Sequence, residues 1–174
     1  MKKFVLSMMI ALVATMLINF PVSQARSVRF ADVGAENFVN QIRQLINSNT
    51  KGIIISELKH LKEFDYPISN PKILRWECNF YMADNLDSRG ELTIYTDSEG
   101  YVLAVTVSCS KSDISVKPVP AILRAVCAHL TSDEYMSLLK NKDVWSSYYN
   151  RRYVMLVEET SDNVLLISLK ALNG

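Results

Sequence analysis

Histidine and cysteine are scarce here, two and three among 174 residues, and they do not fall in metal-ligand pairs. Structural zinc needs four ligands, commonly as pairs a few residues apart, and His60, His129, Cys78, Cys109 and Cys127 are scattered. None of the five glycines builds a phosphate-cradling loop, and neither a nucleophile elbow nor a zinc-protease HExxH run occurs. No cofactor is therefore expected. The acidic turn Glu158, Glu159 and Asp162 lacks the alternating oxygen ligands and glycine of a calcium loop and reads as a solvated hairpin end. An excess of charge of either sign is also missing, with 19 basic residues against 18 acidic ones. That balance gives no electrostatic case for nucleic acid or an anionic membrane as a partner.

Long apolar runs are confined to the start of the chain. Lys2 and Lys3 precede an uncharged apolar stretch from Phe4 to Ile18, followed by Pro21 and the small-residue signature Ser23-Gln24-Ala25. The run is shorter than the roughly 20 residues that span a bilayer, and Pro21 stops its helix where a peptidase needs extended backbone. Residues 1–25 are thus expected to be an export signal cleaved after Ala25. Residues 26–174 would form a single domain with no membrane span, periplasmic or extracellular. Removing 25 of 174 residues leaves 149, enough to bury roughly 70% of the unfolded chain's surface without a covalent staple.

Phe38, Val39, Ile42, Leu45 and Ile46 share one face of a helix opened near Asp32 or Gly34 and ended by Asn47-Ser48-Asn49. From Gly52 to Tyr66 the signals conflict. Ile53-Ile54-Ile55 is β-branched, but Ile54, Leu58 and Leu61 follow helical spacing, and the balance leans to a short helix. The clearest pattern is Ile73 to Met82, where Leu74, Trp76, Cys78, Phe80 and Met82 alternate with Arg75, Glu77, Asn79 and Tyr81 as in a half-buried strand.

Glu91–Thr96 and Tyr101–Cys109 read as strands around the loop Asp97-Ser98-Glu99-Gly100. Pairing Thr96 with Tyr101 sets Ile94 opposite Leu103 and Leu92 opposite Val105. A meander with Phe80 opposite Leu92 would then separate Cys78 from Cys109 by six residues along the strands, about 20 Å, too far for a disulfide.

Val119, Ile122, Leu123, Val126, Cys127 and Leu130 form a helical stripe after Pro118, and Thr131 with Glu134 has capping-box spacing for a second helix carrying Tyr135, Leu138 and Leu139. Arg152–Glu158 and Val164–Leu169 read as two closing strands. Together these predict an α+β fold, a single antiparallel sheet of about five strands packed by helices in the order α(α)βββααββ. That layout also occurs in small binding and chaperone folds, which says nothing about activity.

Three constellations carry the functional expectations. Trp145, Tyr148, Tyr149 and Tyr153 with Arg151 and Arg152 combine flat amphipathic rings with guanidinium forks, the chemistry of binding hot spots and sugar platforms. Cys127 with His129 invites comparison with a thiolate and its base, but residues two apart on a helix point away from each other. In an oxidising compartment Cys127 is the best-placed partner for a disulfide, with Cys109 or Cys78. Finally, Tyr153, Met155, Val157 and Leu166 are taken as apolar outer positions that would suit oligomerisation.

The leading expectation is an exported, non-catalytic binding or accessory protein with a protein or glycan partner. The first alternative is a small exported hydrolase or thiol-dependent enzyme using Cys127 or Cys109 with His60 or His129. The second is an oligomerising structural protein.

Overall fold

The structure is a computed structural model that describes residues 28–62, 72–115, 117–139, 148–149, 153–160 and 163–171. Residues 1–25, expected to be an export signal, and Trp145, Arg151 and Arg152 lie outside them. In chain order the strands are β1 (Ala31–Gly34), β2 (Ile53–Ile55), β3 (Lys59–His60), β4 (Leu74–Met82), β5 (Asn85–Thr96), β6 (Tyr101–Ser110), β7 (Tyr148–Tyr149), β8 (Tyr153–Glu159) and β9 (Val164–Ala171). The helices are α1 (Ala35–Asn49), α2 (Val119–Val126) and α3 (Ser132–Leu139).

All nine strands among the described residues join one sheet, ordered β2-β4-β5-β6-β9-β8-β7, with β3 beside β2 on the free side of β4 and β1 pairing the start of β6. Every pairing is antiparallel. The expected α(α)βββααββ fold, with about five strands packed by helices, is therefore overturned: the molecule is mostly sheet. The largest single cause lies between Gly52 and Leu61. The expected short helix is replaced by β2 and β3, which cover the edge of β4. Three β-branched isoleucines and an open strand edge outweigh a helical spacing of only two turns.

Alternation decides which side chains meet. On the inner face, Cys78, Leu92, Val107, Ile167 and Val157 form one cross-sheet row, and Trp76, Ile94, Val105, Leu169 and Met155 the next. Phe38, Val39, Ile42 and Ile46 of α1 and Val119, Ile122, Leu123 and Val126 of α2 close over these rows to make the main core. Leu45, placed by spacing on the same stripe, is 36% exposed. Met155 and Val157 are core residues rather than outer ones, and Tyr153 packs against the same core, so three of the four positions offered for oligomerisation point inward.

The opposite face is mostly polar, with Arg75, Glu77, Glu91, Thr93 and Thr106 on β4 to β6 and a small cluster of Ile73, Tyr95, Leu103 and Ala104.

The hairpin register also differs from expectation. Ile94 pairs with Val105 and Leu92 with Val107, two residues from expectation: Thr96 pairs with Val102 instead of Tyr101, and an irregularity between Tyr95 and Thr96 leaves Leu103 as an extra residue. Leu103 thereby turns to the outer cluster while Val102 enters the core. Phe80 pairs with Gly90 and Cys78 with Leu92, again two residues from the expected meander. Cys78 and Cys109 are consequently two residues out of line along the strands instead of six, since Cys109 pairs with Gly90.

β5 begins six residues earlier than its apolar pattern does. Asn85 to Arg89 carries no buried hydrophobic residue, so nothing in its alternation marks it as a strand.

Candidate functional site

The site begins with Arg29, just ahead of β1. Its guanidinium lies 3.5 Å over the centre of the Tyr101 ring, donates to Glu99 Oε2 at 2.7 Å, and approaches Asp97 Oδ2 at 3.5 Å and Asp32 Oδ1 at 3.7 Å. One side chain thus clips the segment before β1 to the β5–β6 turn by charge and by cation–π attraction. The next residue follows from that clip. Phe30 N–H donates to the Val102 carbonyl at 2.8 Å, and the Phe30 ring turns inward to full burial.

Phe30 is the hub of an edge-to-face aromatic cluster. Its ring centre is 4.7 Å from His129, 5.8 Å from Tyr153 and 6.3 Å from Phe38, and His129 and Tyr153 stand 5.8 Å apart. All four contacts are near perpendicular, the arrangement in which ring edges meet ring faces. Four separate pieces of chain supply them: the segment before β1, helix α1, the turn after α2, and the start of β8.

Beside the cluster lies a groove of about 330 Å³. Ala31, Val33, Leu45 and Ala128 supply its accessible apolar part above the buried Phe30, Phe38, Ile42 and Val126, with Asp32, Gln41 and His129 among its polar walls. That volume falls at the lower end of the range for small-molecule pockets and suits a ring or a branched aliphatic group. Among the described residues that line it there is no cysteine, serine or threonine.

Of the residues singled out in the sequence, Tyr153 belongs to this groove. Tyr148 and Tyr149 form β7, paired through their backbones with Met155 and Val154. Trp145, Arg151 and Arg152 lie outside the described residues.

Cys78, Cys109 and Cys127 are buried free thiols, with no bridge among them. Burial pushes Cys78 and Cys127 up to about 12 and Cys109 up to about 11, since a thiolate loses its hydration there. Cys127 packs in the core and His129 is exposed on the groove; α2 ends at Val126, so both sit in the turn beyond it and helical spacing does not govern where they point. The other histidine, His60, stacks on Trp76 with ring centres 4.5 Å apart and planes 21° from parallel.

Sequence reasoning missed Arg29, Phe30, Asp32, Phe38 and Gln41 as site residues. Phe38 was legible only as helix core. Arg29 and Glu99 are 70 residues apart, so no local pattern could announce their contact.

The chain matches no family model, no curated protein and no solved structure. Among the described residues, no helix is long and apolar enough to cross a membrane.

Proposed function

We propose that this is an exported, non-catalytic binding or accessory protein, with the Phe30–His129–Tyr153 groove as its ligand site. The observation that carries the reading is the groove's composition: buried aromatic and aliphatic side chains at its base, polar groups at the wall, and no cysteine, serine or threonine among its described lining residues. Such a surface recognises an apolar or aromatic group and orients it by a few polar contacts. The occupant would be an aromatic or branched side chain of a protein partner, or a small molecule presenting the same group.

The thiol-enzyme alternative loses ground for a physical reason. A nucleophilic cysteine needs a lowered pKa and access, whereas all three thiols here are buried and raised. Export rests on the n-region, apolar run and Ser23-Gln24-Ala25 signature, and it implies a mature chain starting at Arg26.

Ligand entry can be tested with indole, toluene and leucinamide as probes, following backbone amide shifts by NMR. The expected result is saturable shifts clustered at Phe30, Ile42, Ala128 and His129, abolished by Ala128→Trp, which fills the groove from an exposed position. Shifts scattered over the surface, or shifts unchanged in that variant, would remove the groove as the site.

A further inference from the structure

The groove beside Phe30 is unevenly charged. Among its described lining residues Arg29 is the sole arginine or lysine, and its charge is already committed. The guanidinium donates to Glu99 Oε2 at 2.7 Å, lies 3.5 Å from Asp97 Oδ2 and rests on the Tyr101 ring, all at the β5–β6 turn. Asp32 Oδ1, at 3.7 Å, is the most distant of the three carboxylates and outside hydrogen-bond reach. One guanidinium among three carboxylates leaves two negative charges, and Asp32 is the carboxylate that lines the groove. Its side chain is 85% exposed, so it can turn toward a ligand without giving up a buried contact.

A second source of negative potential borders the same space. Helix α2 ends at Val126, and Ala125, Val126, Ala128 and His129 line the groove. The C-terminal end of that helix, where aligned carbonyl dipoles sum to a partial negative charge, therefore stands at the wall. Helix α1 lines the groove with its middle turns, from Phe38 to Leu45, so its positive N-terminal end lies outside the lining. The arginines of both helices are engaged elsewhere: Arg43 donates to the Ser56 carbonyl, and Arg124 lies 4.6 Å over the centre of the Tyr135 ring.

Size separates a small molecule from a protein as the occupant. Ala31, Val33, Leu45 and Ala128 supply the accessible apolar part of a groove of about 330 Å³. Four such side chains fall far short of the roughly 800 Å² that each partner buries in a stable protein interface. They match one short, branched hydrocarbon body.

Resting on the reading of this groove as the ligand site, we infer that it takes a small organic cation, a primary ammonium carried on a short apolar body. The body packs on Leu45, Val33 and Ala128, and the ammonium sits at the mouth beside Asp32. An ammonium has three donors and no acceptor, which suits a wall made of a carboxylate, the Gln41 side chain and the carbonyl end of α2. A carboxylate ligand of the same shape would meet repulsion from Asp32 and find Arg29 already occupied.

Three probes that share one branched body and differ in the head group make the test: isopentylamine, isopentyl alcohol and 4-methylpentanoate. Each is titrated into the purified protein near pH 7, where the amine is charged, and followed by backbone amide shifts. The amine should bind about fivefold more tightly than the alcohol, and 4-methylpentanoate should bind most weakly. Asp32→Asn, a nearly isosteric change at an exposed position, should weaken the amine about fivefold and leave the alcohol unchanged, and added salt should weaken the amine alone. The amide spectrum of the variant reports that its fold is kept. An alcohol that binds as tightly as the amine, a pentanoate that binds more tightly, or an amine indifferent to Asp32→Asn overturns the inference while leaving the groove as a site for other ligands. An N-acetylated, amidated lysine that binds more tightly than isopentylamine also overturns it, by moving the ammonium onto a protein partner. If no probe gives saturable shifts at the groove, or if Ala128→Trp fails to abolish them, the groove is not the ligand site and the cation falls with it.

Discussion

The Phe80 ring lies directly over Gly90 on the neighbouring strand, and the two residues are a paired position of β4 and β5. A Cβ at position 90 would stand 2.8 Å from Phe80 Cε2, closer still to Phe80 Cζ, and 2.5 Å from the Ser108 carbonyl oxygen. Glycine is therefore required by close approach on two sides. Gly90→Ala should destabilise the protein by about 3 kcal/mol in urea unfolding, the upper range for overpacking a rigid core. Adding Phe80→Leu should relieve only the ring contact, because the Ser108 carbonyl belongs to the backbone of β6. The double variant should thus lose less than the sum of the single losses and remain well below wild type.

Asp97 organises the β5–β6 turn by accepting from two backbone donors, Glu99 N–H and Tyr101 N–H, both at 2.9 Å. Gly100 supplies the positive φ of 90° that the same turn needs. Because Arg29 also reaches Asp97, this turn supports the groove as well as the hairpin. Asp97→Ala should cost about 2 kcal/mol, since it strands two donors and weakens the Arg29 clip. Asp97→Asn keeps an acceptor in the same place and should recover at least half of that loss. Equal losses in both variants would mean that charge, not the turn geometry, is what Asp97 contributes.

The same turn shows what a sequence can and cannot disclose. Asp97-Ser98-Glu99-Gly100 was legible as a loop from its residue types, and Ile73 to Met82 as a strand from strict alternation, observed over Leu74–Met82. The α2 stripe was legible from its spacing, and Val119, Ile122, Leu123, Val126, Cys127 and Leu130 are all buried. Three things were not legible. A bulge such as that at Leu103 shifts a register without changing composition. The strand segment Asn85–Arg89 has no apolar face. The stretch Ile53–His60 carries β-branched and helical signals together, and the open edge of β4 decides between them. The groove was harder still, because Arg29, Phe30, His129 and Tyr153 meet only through the tertiary fold. The aromatic run near Tyr153 hinted at one wall, and the rest of that run lies largely outside the described residues.

The cysteines give a prediction on reactivity. With burial holding the thiols at about 11 to 12, the thiolate fraction at pH 8 is smaller than one by about three to four orders of magnitude, and access is blocked as well. Brief alkylation of the native protein at pH 8 should leave Cys78, Cys109 and Cys127 unmodified by intact mass, while alkylation after denaturation alone should label all three. One thiol labelled quickly in the native state would reopen the thiol-enzyme reading and identify its nucleophile. Labelling of only one thiol after denaturation without reductant would instead reveal a disulfide.

Glu77 provides the test in pH. Its carboxyl sits above the ordinary range, first because of desolvation and second because Glu91 lies nearby, and Arg75 at 3.2 Å offsets only part of this. A carboxyl raised in the folded state contributes stability that is fully present below its unfolded value and is lost as pH rises through its folded value. Glu77→Gln mimics the protonated group at every pH. The variant should match wild type most closely near pH 4 and gain on it progressively towards pH 7, as wild type takes on the cost of a buried charge. Urea unfolding of both proteins at pH 4, 5.5 and 7 measures this directly. If the variant instead loses ground as pH rises, the Arg75 ion pair outweighs desolvation and repulsion, and the polar face of the sheet is held together by that pair.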